Sequence, residues 1–196
     1  DFKTGLQDTY KNYKTNENCC QADLKQLRVS RERQKKTLEI EQQEKWKNAA
    51  QKARATWDLL KIEGSSEYCK KKNVENYGLR YGENKNGIFC AFPVYGIDEN
   101  IRGLQYIFDT NIPGTSRNKT FDKGIQKKGG HFIIGDIDIA SIICFAEGYA
   151  TAASIHKATQ YPVAVCLDAN NLYPVIQEFI KKYPNKTLVV CADNDK

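Results

Sequence analysis

Three short apolar runs, at residues 141–146, 163–167 and 187–192, each end in an acidic residue, and helix-forming sequence separates them. The runs carry no charge, as strands buried on both faces of a parallel sheet should. Between them, residues 151–159 are Ala-rich. Leu172, Val175, Ile176, Phe179 and Ile180 then recur at the i, i+3, i+4, i+7, i+8 spacing of an amphipathic helix. The pattern predicts βαβαβ, hence a parallel α/β arrangement with right-handed crossovers.

The acids are Glu147 after the first run, Asp168 after the second, and Asp193 with Asp195 after the third. Open parallel sheets place their ligand crevice at the carboxyl ends of the strands, so four acids from distant positions are expected at one edge. Clustered carboxylates repel one another. A divalent cation offsets that repulsion, and hard oxygen ligands suit magnesium. In Asp193-Asn194-Asp195 an extended chain points residues i and i+2 to the same side, where they can share a metal or hold two. Glu147, followed by Gly148 at a strand-to-helix turn, is placed to bind metal or to act as general acid or base. Each acid taken alone has a competing explanation, because turns are polar and Asp and Glu suit helix N-termini.

Upstream the composition changes. Residues 1–20 lack periodicity and form a loose lead-in. From 21 to 60 there is neither Gly nor Pro, and Trp46, Ala49, Ala50, Ala53, Trp57 and Leu60 mark one face of a helix that should dock on the rest of the protein. Arg28 to Lys36 is mostly charged and reads as an exposed helix face, with a DNA-contacting arm as the alternative. Residues 61–139 break into short β-rich pieces. Asn86-Gly87 signals a hairpin leading into a strand that Pro93 closes; a second strand covers 103–108, and 131–134 ends the region. This stretch predicts a small, mainly antiparallel subdomain. Between positions 102 and 128, Arg102, Arg117, Lys119, Lys123, Lys127 and Lys128 stand against only Asp109 and Asp122. Such a loop, flanked by glycines, can approach phosphates or can simply be solvated.

The 30 Lys and Arg against 24 Asp and Glu, a net charge of +6, mildly favour a polyanionic partner. Seven cysteines without a CxxC pair, several inside apolar runs, suggest free thiols in a reducing cytosol and no zinc site. No apolar stretch reaches the roughly 20 residues that cross a bilayer, so no membrane partner is expected. The absence of Met, even at position 1, and the end at Asp193-Asn194-Asp195-Lys196 suggest a fragment.

Phe145-Ala146-Glu147-Gly148-Tyr149-Ala150-Thr151-Ala152 and Cys191-Ala192-Asp193-Asn194-Asp195 resemble the TOPRIM module shared by bacterial primases, topoisomerases and some nucleases. The wider stretch through Tyr77-Gly78-Leu79-Arg80, Leu104-Gln105-Tyr106-Ile107, Gly129-Gly130-His131-Phe132 and Leu167-Asp168-Ala169-Asn170-Asn171-Leu172 is similar to primases of plasmids and phages. The resemblance implies three segments: an N-terminal helical segment over 1–60, a basic β-rich primase subdomain over 61–139, and a C-terminally incomplete TOPRIM domain over 140–196. It implies Glu147, Asp193 and Asp195 as catalytic metal-site acids, and Asp168 as a further metal-site acid or a helix cap. Magnesium, with manganese as a substitute, is the implied cofactor. Arg102, Lys119, Lys123, Lys127 and Lys128 are implied to hold template and nucleotides. The implied activity is RNA primer synthesis, with single-stranded DNA, ribonucleoside triphosphates and a replicative helicase as partners. A TOPRIM nuclease or topoisomerase, or a nucleic-acid-binding module without catalysis, remains an alternative on these residues.

Overall fold

The computed structural model describes residues 21–192, and side chains from residue 25 onward. The chain divides into two compact units, Asp1–Gln42 and Gln43–Lys196. Helix α1, Gln21–Leu59, crosses that division. In the first unit residues 25–42 of the helix are exposed on every side, matching a sequence with no apolar stripe there. In the second unit the predicted stripe is the buried one. Ala53 is buried and packs with Trp57 and Leu60 against Ile101, Leu104, Tyr95 and Tyr106. Past the end of the helix, the Arg80 guanidinium lies over the Trp57 ring at 4.4 Å and donates to the Trp57 carbonyl.

The first sheet comprises β1 (Arg80–Asn84), β2 (Gly87–Tyr95), β3 (Ile101–Phe108) and β4 (Lys119–Phe121), antiparallel throughout and in that order. The expected hairpin is present, with Asn84 paired to Gly87 across Lys85 and Asn86. Gly87 takes a φ of +118°, a conformation open to glycine. Pro93 does not end its strand, contrary to the sequence reading. Its partner Leu104 turns its N–H to the Asp122 carboxylate and its carbonyl to the Asp122 N–H. Pro93's nitrogen therefore faces away from β3, past the end of β1 at Arg80, where the ladder needs no donor.

The second sheet has the order β5-β7-β6-β8, with β5 Phe132–Ile134, β6 Ile142–Ala146, β7 Val163–Val165 and β8 Thr187–Val190. Strand β6 runs parallel to both β7 and β8, and helices α3 (Tyr149–Thr159) and α4 (Ala169–Lys182) make the crossovers, as predicted. Two features differ from expectation. The strand at 132–134 pairs antiparallel with β7 and so joins the second sheet, with a bridge between Tyr95 and His131 and the packing of Phe132 on Phe92 linking it to the first. Strand β8 is not buried on both faces: it is the sheet's edge, paired to β6 alone, and Val190 is 51% exposed.

Side chains alternate along β2 and β6 and build separate cores on the two faces. Cys90, Phe92 and Val94 of β2, Cys144 and Ala146 of β6, and Tyr149, Ala152 and Ala153 of α3 meet in one cluster, joined by Tyr68 and Cys69 from the short helix α2, Glu67–Lys72. On the far face of the second sheet, Ile143, Phe145 and Ala164 pack on Val175 and Phe179 of α4. Tyr149 is the pin of the shared core. Its ring stacks on Phe92 at 5.6 Å, and its hydroxyl accepts from the Tyr77 N–H at 2.7 Å while donating to the Glu75 carbonyl. Tyr149→Phe keeps the ring but strands the Tyr77 donor. It should cost about 1–3 kcal/mol of unfolding free energy, measured by denaturant titration.

Candidate active site at the sheet edge

Because β6, β7 and β8 are parallel, their carboxyl ends share one edge. Glu147 follows β6 directly, and Gly148 is the N-cap of α3, with no side-chain cap. Asp168 follows β7 by two residues through Leu167, a buried side chain held at φ +76°. That left-handed backbone costs a non-glycine residue on the order of 1–2 kcal/mol, and it directly precedes the N-cap of α4. Asp168 is the N-cap of α4. One oxygen accepts from the Asn171 N–H at 3.0 Å, and the other is paired with the Lys127 ammonium. The capping role that the sequence left open for Asp168 is thus present.

Cys166 reports where the two carboxylates stand. Burial pushes its thiol up to about 12, and the charges of Asp168 and Glu147 both add to the rise. Two acids acting on one buried thiol lie at the same end of the sheet. Beyond β8, the Cys191 N–H donates to the Phe145 carbonyl, so the chain continues alongside β6 toward this edge. Asp193 and Asp195 lie outside the described residues. Among the described residues no three His, Cys, Asp or Glu side chains cluster as a metal site.

Of the predicted basic residues, Lys127 reaches an acid and Lys119 reaches the neighbouring turn. Lys127 pairs with Asp168 and lies over the Phe121 ring at 4.7 Å. The Lys119 ammonium lies 4.0 Å from where a side chain on Gly148 would begin, so it stands beside the Glu147-Gly148 turn. Desolvation, with the nearby charge of Lys72, holds Lys119 below the ordinary lysine range. Arg102 instead donates to the Lys128 carbonyl and supports the loop from behind. Lys123 and Lys128 are exposed and make no ion pair among the described residues.

Asn171 went unassigned in the sequence reading. Its buried amide donates to the Gly130 and Cys166 carbonyls and accepts from the Gly129 N–H, so the glycine loop is fastened to the end of β7. The usable signal was its place three residues after a helix-capping Asp.

The fold matches a solved structure of the DnaG primase catalytic domain bound to ssDNA, with a TM-score of 0.52 at 9% identity over 80% of this chain and 63% of that one. The chain therefore shares the two-sheet fold of that domain. In sequence the chain is similar to two Escherichia coli proteins called DNA primase TraC, 28% identical over 160 residues to one and 26% over 201 residues to the other. In both sequence and fold the chain is thus similar to DNA primases. Those matches cover 80% and 99% of this chain but only 14% and 13% of the relatives' lengths. No protein-family profile matches the chain.

His131, at the foot of the glycine loop, generates a pH prediction. It is buried against Phe179, and burial lowers its imidazole from 6.5 to about 4. The folded state thus keeps it neutral where the unfolded chain takes up a proton. Its contribution is complete above pH 6.5 and is lost as pH falls toward 4, by roughly 3 kcal/mol at most. Denaturant midpoints should fall across that window, and His131→Gln should flatten the fall.

Proposed function

We propose that this chain is the catalytic core of a DNA primase of the TOPRIM type, which makes short RNA primers on single-stranded DNA in plasmid or phage replication. The observation that carries the proposal is that β6 and β7 end side by side, with Glu147 after one, the pair of Lys127 and Asp168 after the other, and Lys119 beside Gly148. In this reading Glu147, Asp193 and Asp195 hold magnesium, or manganese in its place. Their oxygen donors suit a hard cation. When bound, the metal supplies charge neutralisation for phosphoryl transfer.

The protein's own residues do the positioning. Asp168, with both oxygens engaged, holds Lys127 and the start of α4 in place and is kept from free rotation into a metal shell. Lys119 and Lys127 present ammonium groups to the phosphates of an incoming ribonucleoside triphosphate or of the template. Gly148, lacking a side chain, leaves room between Lys119 and the backbone for a phosphate oxygen. Glu147 is also placed to take the proton from the attacking primer hydroxyl. Catalysis in such a site is mostly orientation and preset charge. Single-stranded DNA and ribonucleoside triphosphates are then the substrates, and a replicative helicase the partner.

Incorporation of labelled ribonucleotides on single-stranded DNA tests the reading. Glu147→Gln should lower synthesis by at least about a hundredfold without moving the melting temperature. Synthesis at the wild-type rate, or magnesium-dependent nicking of DNA with no synthesis, would overturn it.

A further inference from the structure

A second cationic cleft opens on the far side of Lys119. It measures about 360 Å³ and is lined by Tyr68, Lys71, Lys72, Asp109, Asn118 and Lys119. Helix α2 builds one wall. It buries Tyr68 and Cys69 and leaves its last turn, Lys70, Lys71 and Lys72, outside. Lys70 is neutralised by Glu67 at 2.7 Å. Lys71 and Lys72 have no ion-pair partner among the described residues.

The opposite wall is Lys119 on β4, whose ammonium lies over the Tyr68 ring at 5.2 Å. Lys72 is close enough that its charge depresses the basicity of Lys119. Asp109, the acid in the cleft, is already used: its carboxylate accepts from the Ser66 hydroxyl and from the Glu67 N–H at the start of α2. Three ammonium groups therefore face one space against a single, hydrogen-bonded carboxylate. Lysines at a helix C-terminus have an ordinary role in offsetting its dipole. That role explains neither why a third lysine from another strand turns toward them nor why their repulsion goes uncompensated.

We propose that this cleft is a phosphate-binding subsite, with Lys71, Lys72 and Lys119 holding successive phosphates of a nucleotide or of a single strand and Tyr68 fixing the Lys119 ammonium. The assignment deepens the primase reading and rests on it, because Lys119 is shared. Tyr68 connects the two regions: it packs in one cluster with Tyr149, Ala150 and Ala152 of α3, just past Glu147 and Gly148. A phosphate chain anchored in the cleft thus leads toward the acidic edge. The chemistry is the same for a ribonucleoside triphosphate and for a template backbone, and the experiment separates them.

Two probes are titrated against the protein without divalent metal: ATP, by calorimetry, and a short fluorescein-labelled oligothymidylate, by anisotropy. Lys71→Ala/Lys72→Ala should weaken at least one of them about tenfold. If the strand occupies the cleft, the slope of log affinity against log salt should also shrink by about 1.4, the value for two phosphate contacts on a single strand. Loss with ATP alone identifies the triphosphate, and loss with the oligonucleotide identifies the strand. The control is Lys181→Ala, twelve residues along α4 from Ala169 and so about 18 Å from its start. Unchanged binding of both probes, or an equal loss in the control, overturns the subsite. Binding is read without synthesis, so this result stands apart from the Glu147→Gln assay. Intact binding in the double variant with synthesis lost in Glu147→Gln removes only the cleft, and the reverse pair of results removes only the primase.

Discussion

The site depends on one buried amide. Asn171 makes three side-chain hydrogen bonds, two to the glycine loop and one to the end of β7. A buried amide left unsatisfied is costly, so its partners are held together as a unit. The loop it fastens carries Lys127, and the helix it starts is capped by Asp168. The ion pair between those two side chains is a consequence of backbone placement. It is not a chance surface contact between two flexible residues, and its half-buried setting protects it from the screening that weakens exposed pairs.

Charge is then sorted in space. The parallel pairing of β6 with β7 and β8 sends the strand ends, with Glu147 and Asp168 among them, to one edge. The antiparallel first sheet, through β4 and the loop that follows, brings lysines to the same place from the other side. Tyr149 and Tyr68 hold these halves in register, one through its hydroxyl to the segment before β1 and the other by packing against the first turn of α3. In the proposed reading, a polyanion entering between acids and lysines is neutralised from both directions once a cation sits on the acids. This division of labour agrees with a fold shared with a primase catalytic domain and with sequence similarity to DNA primases.

Much of this was legible from the residues. Uncharged runs ending in acids and separated by helical periodicity named the parallel strands, and the Trp46 to Leu60 stripe named the docking face of α1, because burial on a helix or sheet leaves a period in the sequence. What stayed hidden has no period. Phe132-Ile133-Ile134 is apolar in any sheet, and only long-range pairing assigns it to the second. Pro93 looks like a terminator until its neighbour's hydrogen bonds show that no donor is needed there. The exposure of β8 depends on how many neighbours a strand has, which its own residues do not encode. Lys71 and Lys72 read as an ordinary charged helix end, and their closeness to Lys119 is visible only once α2 and β4 are placed in space.

The central claim is that a divalent cation sits among Glu147, Asp193 and Asp195. Residue-resolved NMR of the amide signals during titration with manganese reads that directly, because the paramagnetic ion broadens only nearby nuclei. The account predicts that Gly148 and the amides of residues 193–195 broaden first and together, well before the rest of the chain. Broadening that begins elsewhere, or that reaches residues 193–195 while leaving Gly148 sharp, would contradict it.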